Sequence, residues 1–371
     1  WFTPRASRET EEIRHVAIPG PLPFPSGADT VWYKLMHPAL LIPLFLVFGT
    51  ALVWKGSAVL ESASESLSHF YRLPPTVHGA IVVAVGSSFP EFSSTVLSTL
   101  LHGDFELGLS VVVGSAIFNI LVIPAVSGLA GGGMRTGRDV VFKEGLFYFV
   151  SVAVLLLTFS LAVIYNPIEG EPLLGRFTRA LALIPVLLYV LYIFIQQQDV
   201  RDHRAEPEPA RVRPLAEWGK LIASLALILA GVEALVRAAI TLGDLLGTPS
   251  FIWGVTIIAA VTSLPDTFVS VRLARRDEGV VSLSNVLGSN IFDLLVALPA
   301  GVLIAGATAV NFGVAVPLMA VLTLSTIVLF ATMRTDLRLD HRESVLLLGT
   351  YALFVLWIVL ESVGVTGLTA G

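Results

Sequence analysis

The sequence carries one composite pattern twice, each time inside an apolar run. The first copy reads Gly-Ser-Ser-Phe-Pro-Glu over 86–91, followed by Gly-Ser-Ala-Ile-Phe-Asn over 114–119. The second copy reads Val-Thr-Ser-Leu-Pro-Asp over 261–266, followed by Gly-Ser-Asn-Ile-Phe-Asp over 288–293. The spacing between the two elements is nearly the same in both copies. We therefore expect a fold of two related halves, each of which places hydroxyls, a proline and a carboxylate among apolar residues.

The composition places this fold in a membrane. Of the 371 residues, 55% are hydrophobic and 14% are charged, whereas soluble domains have about 45–50% apolar and about 25% charged residues. The chain has no cysteine, so disulfides and thiolate metal sites are excluded, and a bound metal has to take oxygen or histidine ligands. Of these two kinds, oxygen ligands indicate a hard cation. Because the sequence shows no basic stripe, nucleic acid is not an expected partner.

Ten apolar runs are long enough to cross a lipid bilayer, which takes about 20 helical residues. The segment 1–37 ahead of them is polar and rich in proline, and we expect it to be an exposed extension without a catalytic role. The predicted spans are 39–67, 76–101, 106–130, 140–165, 177–198, 215–242, 250–273, 280–305, 312–333 and 344–362.

Basic residues are concentrated in every second gap between these spans. The odd-numbered gaps carry nearly all of them, whereas the even-numbered gaps hold only Arg176 and Arg179. Because short loops rich in lysine and arginine stay in the cytoplasm, we predict a multi-pass protein of the cell membrane with both termini outside. The basic residues of the odd-numbered gaps are Arg72, Arg135, Arg138, Lys143, Arg201, Arg204, Arg211, Arg213, Arg272, Arg275, Arg276, Arg334, Arg338 and Arg342.

A mixed-charge segment at 201–214 divides the ten spans into five and five. Since five is odd, the second half enters the membrane from the opposite side, which makes the halves an inverted repeat of the kind that secondary transporters use. We therefore predict an all-α membrane protein of ten transmembrane helices. Its parts are a first inverted repeat over 38–200, a cytoplasmic linker over 201–214 and a second inverted repeat over 215–371. Helices one and six correspond to each other in the two halves, since each is a long apolar helix with embedded charge directly before the motif helix.

A proline lies inside the second and the seventh predicted span. Proline donates no backbone hydrogen bond and clashes with the carbonyl four residues back, so Pro90 should free the carbonyl of Gly86, and Pro265 that of Val261. A broken helix at membrane depth is tolerated where it is buried in protein or lines a polar cavity. We predict that helices 2 and 7 are broken in this way at an ion site.

The carboxylates Glu91 and Asp266 directly follow the two prolines. Calcium takes about 6–8 oxygen ligands from carboxylates, carbonyls and water, and two carboxylates neutralise one dication. An ionised carboxylate at the bilayer centre costs about 2.5–3.5 kcal/mol, so we expect monovalent cations or protons to fill the site when calcium is absent. The alternative is a structural pairing of these carboxylates with Lys55 or Arg237.

The second element of the pattern is rich in small residues. Glycine at Gly86, Gly114 and Gly288 predicts close helix packing. Ser115 and Ser289 recur beside Asn119 and Asp293, and we favour ion ligation for these two serines.

With these residues the chain resembles the cation/calcium exchanger superfamily, and its short central linker resembles the prokaryotic type of sodium/calcium exchanger. The resemblance covers 39–362. It implies antiport of calcium against several sodium ions, alternating access by sliding of helices one and six, no cofactor, no enzymatic activity and function as a monomer. The ligands that it implies are Ser87, Ser88, Glu91, Ser115 and Asn119 in the first repeat and Thr262, Ser263, Asp266, Ser289 and Asp293 in the second, with backbone oxygens of Ala84 and Ala259.

Three positions depart from the pattern of that superfamily, namely Ser87 for threonine, Ala116 for asparagine and Val261 for glycine. Proton-coupled calcium exchange is the main rival function, although the resembling proton-coupled members usually carry an asparagine in place of the paired hydroxyls. An intramembrane enzyme is disfavoured because the sequence has neither His-Glu-x-x-His nor Gly-x-Ser-x-Gly. A cation channel is disfavoured because inverted repeats around a charged site favour alternating access.

The two copies differ in charge at their last residue, which is Asn119 in the first and Asp293 in the second. Glu91, Asp266 and Asp293 together could carry one negative charge more than a calcium ion neutralises. Burial and neighbouring carboxylates favour a protonated Asp293, whereas a resemblance to potassium-dependent sodium/calcium exchangers leaves room for potassium there. We favour the protonated carboxyl.

Overall fold

A computed structural model of the chain describes residues 38–71, 84–138, 140–200, 213–334 and 337–367. Within these residues the chain is mostly helical. Eight helices are long and apolar enough to cross a membrane, and a bent pair over Ser250–Ala274 brings the number to nine. The second predicted span lies partly outside the described residues, so the arrangement of ten helices in two repeats stays a prediction.

The helices follow one another with short connections. The first half contains α1 (Pro38–Phe70), α2 (Ala84–Ser87), α3 (Phe89–His102), α4 (Phe105–Gly131), α5 (Gly145–Tyr165) and α6 (Arg179–Val200). The second half contains α7 (Pro214–Leu246), α8 (Ser250–Trp253), α9 (Ala259–Thr262), α10 (Leu264–Ala274), α11 (Gly279–Phe292), α12 (Leu298–Ala305), α13 (Phe312–Arg334) and α14 (His341–Ser362). Turns of π-helix at Val140–Glu144, Gly254–Ile258 and Asp293–Ala297 precede α5, join α8 to α9 and join α11 to α12.

Local sequence signals set several helix ends. The Asp104 carboxylate accepts a hydrogen bond of 2.8 Å from the Leu107 amide and thereby caps the start of α4. Gly132 follows the end of this helix with φ of 70°, a conformation that glycine adopts without strain. Asp340 and Glu343 form a reciprocal capping box at the start of α14.

The prediction of an all-α fold needs one correction, because the described part of the chain also contains five short strands, which link loops. Strand β1 (Met134–Arg135) pairs antiparallel with β5 (Arg338–Leu339), with Met134 opposite Leu339. Strands β2 (Pro167–Ile168), β3 (Glu171–Phe177) and β4 (Thr308–Asn311) form an antiparallel sheet in that order, with Gly175 opposite Val310. Loop backbone that packs against a neighbouring loop has to satisfy its hydrogen bonds, and short strand pairs do so.

Helix α4 lies at the centre of the molecule. It packs against α3, α10, α13 and α14, and nearly all of its side chains are buried. The main apolar core surrounds it and includes Leu109, Val113, Ile117, Ile120 and Leu121. A helix that is apolar on every face belongs in the interior, so this helix forms the support on which the site is built.

Helices α1 and α7 pack against each other along their length. Their backbones approach closely at two glycines. A Cβ on Gly49 would lie 2.8 Å from the carbonyl oxygen of Gly231, and a Cβ on Gly231 would lie 2.9 Å from the carbonyl oxygen of Gly49. Small residues at such a crossing are typical of membrane helix pairs.

Candidate ion-binding site

Both copies of the repeated pattern lie where a helix is interrupted. Ser88 separates α2 from α3, and Ser263 separates α9 from α10. The segments on either side of Ser263 are bent by 43°. The proline of each copy lies in the first turn after the interruption, where its missing N–H is not needed. Glu91 and Asp266 follow in the same turn, where the helix dipole favours a negative charge.

Glu91 is surrounded by hydroxyls from both copies. The Ser115 hydroxyl donates a hydrogen bond of 3.0 Å to Glu91 Oε1, and the Thr262 side chain lies beside this carboxylate. The Oγ atoms of Ser115 and Ser263 lie 2.8 Å apart. Glu91 is only 3% exposed, so the fold buries this carboxylate among neutral oxygen atoms of both halves.

A second pair of hydroxyls, from Ser87 and Ser289, also connects the two copies. The Oγ atoms of Ser87 and Ser289 lie 2.9 Å apart. The Ser88 hydroxyl donates a long hydrogen bond of 3.5 Å to the backbone oxygen of Ser289 and also hydrogen-bonds to Asp293. Ser88, Ser289 and Asp293 are each 1% exposed. The first element of one copy therefore lies against the second element of the other.

The last residue of each copy presents a buried oxygen without a hydrogen-bond partner among the described residues. These atoms are Asn119 Oδ1 and Asp293 Oδ1. A buried polar atom without a partner is costly, and a bound cation is one way to remove that cost. Two such atoms at matching positions of a repeat indicate a site that is completed by a ligand.

Asp266 is less enclosed than the other two acidic residues, and its side chain is half-buried. It lies close enough to Glu91 and to the exposed Glu61 of α1 for their charges to act on it. Among the described residues, neither of the two proposed basic partners pairs with a motif carboxylate. Arg237 Nε lies 2.7 Å from Glu233 Oε1, and Lys55 is exposed.

The two backbone oxygens implied by the resemblance have different surroundings. The Ala259 carbonyl accepts hydrogen bonds of 3.2 Å from both the Ser263 amide and the Thr262 hydroxyl. These two donors occupy the carbonyl in the present conformation and would have to move for it to bind an ion. Ala84 is the first residue of α2, and its role stays an expectation.

The prediction of close packing at the motif glycines is right for one glycine of three. A Cβ on Gly114 would lie 2.5 Å from the carbonyl oxygen of Val255, so a side chain does not fit there. At Gly288 the nearest atom, the hydroxyl oxygen of Tyr192, is 4.0 Å away, and at Gly86 no atom of the described residues lies within 4 Å. Among the described residues, the prediction is therefore not confirmed for Gly86 and Gly288.

Sequence analysis did not single out Asn290 and Tyr148, which lie directly behind the ligands. Asn290 Oδ1 accepts a hydrogen bond of 2.9 Å from Asn119 Nδ2. Asn290 Nδ2 donates to the Tyr148 hydroxyl at 3.3 Å. The one available signal was that Asn290 lies inside the repeated element where the first copy has Ala116.

This arrangement suits a hard cation. Among the described residues, no three histidine or acidic side chains come close enough together to form a metal cluster. Neutral hydroxyl and amide oxygens therefore make up most of the candidate ligands, with the carboxylates supplying the charge. Oxygen ligands of this kind suit sodium and calcium rather than softer metals.

Comparison with known proteins agrees with these features. Over 286 residues the chain is 25% identical to the sodium/calcium exchanger MaX1 of Methanosarcina acetivorans. This alignment covers 69% of this chain and 81% of MaX1. Its fold resembles a structure of the sodium-calcium exchanger NCX_Mj soaked with Na⁺ and Sr²⁺, with a TM-score of 0.57 and 24% identity, over 85% of this chain and 97% of that one. It also resembles the H⁺/Ca²⁺ exchanger CAX, with a TM-score of 0.66 and 14% identity, over 92% and 91% of the two chains.

The sequence also matches the family described as sodium/calcium exchanger protein over residues 41–197 and 217–360. These ranges take in both copies of the repeated pattern and most of the chain. The chain therefore belongs to the sodium/calcium exchanger protein family.

Proposed function

We propose that this cation/calcium exchanger couples the movement of calcium to a counterflow of sodium at the site formed by the two motif copies. One observation carries the proposal. Asn119 Oδ1 and Asp293 Oδ1, at matching positions of the repeat, are buried and lack a partner among the described residues, and both lie beside hydroxyls that bridge the copies. A dehydrated cation bound beside either atom would supply the partner that it lacks.

The proposed ligands are the acidic residues, hydroxyls and amide that surround these two atoms. Calcium would take the charged oxygens, and sodium ions would replace it using more of the neutral ones. Backbone carbonyls freed when the interrupted helices shift would complete the coordination. The set comprises Ser87, Ser88, Glu91, Ser115, Asn119, Thr262, Ser263, Asp266, Ser289 and Asp293, with backbone oxygens of Ala84 and Ala259.

The hydroxyls favour sodium over protons as the coupling ion. A proton needs only a carboxylate, whereas a sodium ion needs several neutral oxygens in a small volume. The hydroxyl pairs Ser87–Ser289 and Ser115–Ser263 provide such oxygens, each with its two Oγ atoms less than 3 Å apart. Proton/calcium exchange remains the rival function, because Glu91 and Asp293 are buried carboxyls that could carry protons in place of sodium.

The proposed architecture is ten membrane helices in two inverted repeats, acting as a monomer in the cell membrane with both termini outside. Loop contacts support it. The third and ninth gaps, both predicted to be cytoplasmic, meet through β1 and β5. The fourth and eighth gaps, both predicted to lie outside, meet through β3 and β4. Loops that the repeat places on one side of the membrane are thus found together.

Calcium binding to the purified protein tests the site. We expect sodium to displace radioactive calcium with a Hill coefficient above one. We expect Glu91→Gln to lower the calcium affinity at least about 100-fold, since a buried, hydrogen-bonded charge next to the ion is removed. Glu106→Gln is the matched control. This half-buried glutamate of α4 has Asp104, not a motif residue, as its charged neighbour.

Two results would count against this site. Equal calcium binding by the wild type and Glu91→Gln would remove Glu91 from it. Equal losses in Glu91→Gln and Glu106→Gln would show that the effect is not specific to the motif. Retention of a single peak in size-exclusion chromatography confirms that each variant is folded.

A further inference from the structure

The side chain of Asn290 is fully buried on α11 and bonded at both ends of its amide. Its Oδ1 accepts from Asn119 Nδ2 at 2.9 Å. Its Nδ2 donates to the backbone oxygen of Ala116 at 3.2 Å and to the Tyr148 hydroxyl at 3.3 Å. We propose that Asn290 is a positioning residue that orients the Asn119 amide so that an oxygen, not an N–H, faces the ion. This inference rests on the proposed function.

The direction of this hydrogen-bond chain is fixed at one end. The two ends of an asparagine amide look alike, and their assignment follows from their partners. The backbone oxygen of Ala116 can only accept, so the nitrogen of Asn290 has to face it. The oxygen of Asn290 then faces Asn119 and requires a donor, which only the nitrogen of Asn119 can supply.

The orientation of Asn119 has a consequence for the ion. Its nitrogen is used by Asn290 and, over a longer distance of 3.5 Å, by the Ser115 hydroxyl. Its Oδ1 is thereby turned away from both and is left buried without a partner among the described residues. If the amide were reversed, two N–H groups would face the cation, which would repel it.

Ala116, which stands where the superfamily pattern has asparagine, is consistent with the positioning role of Asn290. Ala116 and Asn290 occupy the same position in the two copies of the element. Alanine carries no amide that could compete for Asn119, and Ala116 contributes the backbone oxygen that anchors Asn290. The Tyr148 hydroxyl, which also hydrogen-bonds to Thr326, extends the network to α5 and α13.

The test is a double-mutant cycle on calcium affinity, measured by radioactive calcium binding to purified protein. Asn290→Leu keeps the volume of the side chain but cannot orient Asn119, and we expect roughly tenfold weaker calcium binding. Asn119→Ala should weaken binding to the same extent or more. Because Asn290 acts through Asn119, the double variant should bind no more weakly than Asn119→Ala alone.

Tyr148→Phe provides the control. It removes one of the two acceptors of Asn290 Nδ2 but leaves the Ala116 oxygen, which is sufficient to fix the orientation, so we expect calcium affinity within about twofold of the wild type. Asn290→Ala serves as a second substitution at the same position, and thermal unfolding shows whether each variant is folded.

Two outcomes would overturn the inference. Wild-type affinity in Asn290→Leu and Asn290→Ala would show that Asn119 needs no orienting partner. Losses that multiply in the double variant would show that Asn290 acts independently of Asn119. Neither result would affect the proposed function, which fails instead if the wild type binds no calcium or if sodium does not displace it.

Discussion

The three acidic residues of the proposed site have different surroundings. Glu91 is enclosed by hydroxyls of Ser115 and Thr262. Asp293 shares a hydrogen bond with Ser88 and keeps one oxygen without a partner among the described residues. Asp266 is half-buried and faces the charge of Glu61. Three ionised carboxylates exceed the charge of one calcium ion, so one of them has to be neutral or compensated when calcium is bound.

Asp293 is the residue that we expect to be neutral, and Asp293→Asn tests this. The substitution reproduces Asn119 of the first copy and keeps an oxygen at the same place. We expect calcium exchange within about threefold of the wild type, since no charge needed for calcium is lost. Exchange by both proteins should be the same with and without potassium, measured as calcium uptake into proteoliposomes.

A potassium site at Asp293 would give a different result. The wild type would then be inactive without potassium, and Asp293→Asn would be active without it. That outcome would show that Asp293 is ionised and that a bound potassium ion compensates its charge.

The residues of the proposed site could be predicted from sequence because they recur in register. The structure brings the two copies into contact through Ser87 and Ser289 and through Ser115 and Ser263. The residues behind them could not be predicted, because hydrogen bonds such as that from Asn290 to Tyr148 join positions 142 residues apart. Periodicity along the chain carries no information about such contacts.

At the scale of helices, α1 and α7 form one closely packed pair. Gly49 and Gly231 bring their backbones together, and a Cβ on Gly56 would lie 2.6 Å from Ile228 Cγ1. The resemblance implies that these two helices slide during transport, and the close crossing supports the proposal that they would move as one unit.

The substitution Gly231→Ala tests this packing. The added Cβ would lie 2.9 Å from the Gly49 oxygen and 2.9 Å from Leu52 Cβ, so the helices have to separate. We expect a loss of about 1–3 kcal/mol in stability, measured as a lower temperature of thermal unfolding in detergent.

The matched control is Gly219→Ala on the same helix, where no described atom lies within 4 Å of the added Cβ. There the gain in helix propensity, about 0.8–1 kcal/mol, should raise stability slightly. Equal changes at both positions would contradict the proposed role of the crossing.

Helix ends were predicted well where apolar runs stop at charged or capping residues. The span predicted at 280–305 is observed as Gly279–Ala305, and that at 140–165 as Val140–Tyr165. The strands were not predicted, because pairs such as Met134 with Leu339 join loops from different halves of the chain. A strand of two residues, such as β1 or β5, contains no pattern that indicates its partner.

In the whole molecule, the apolar core joins the two halves, and the two motif copies meet within it through buried hydroxyls. Helix α4 supports these hydroxyls from the first half, and α11 supports them from the second. The proposed inverted repeat would let either side of the membrane reach the same ligands in turn. The proposed site would then exchange one cation for another without a continuous open pore.

Calcium uptake into proteoliposomes under separate ion gradients tests this account most directly. With the purified protein, an outward sodium gradient should drive calcium uptake at least about tenfold above that of Glu91→Gln liposomes. A pH gradient alone, or a potassium gradient alone, should drive none. Uptake that follows the pH gradient and ignores sodium would contradict sodium coupling and establish proton/calcium exchange in its place.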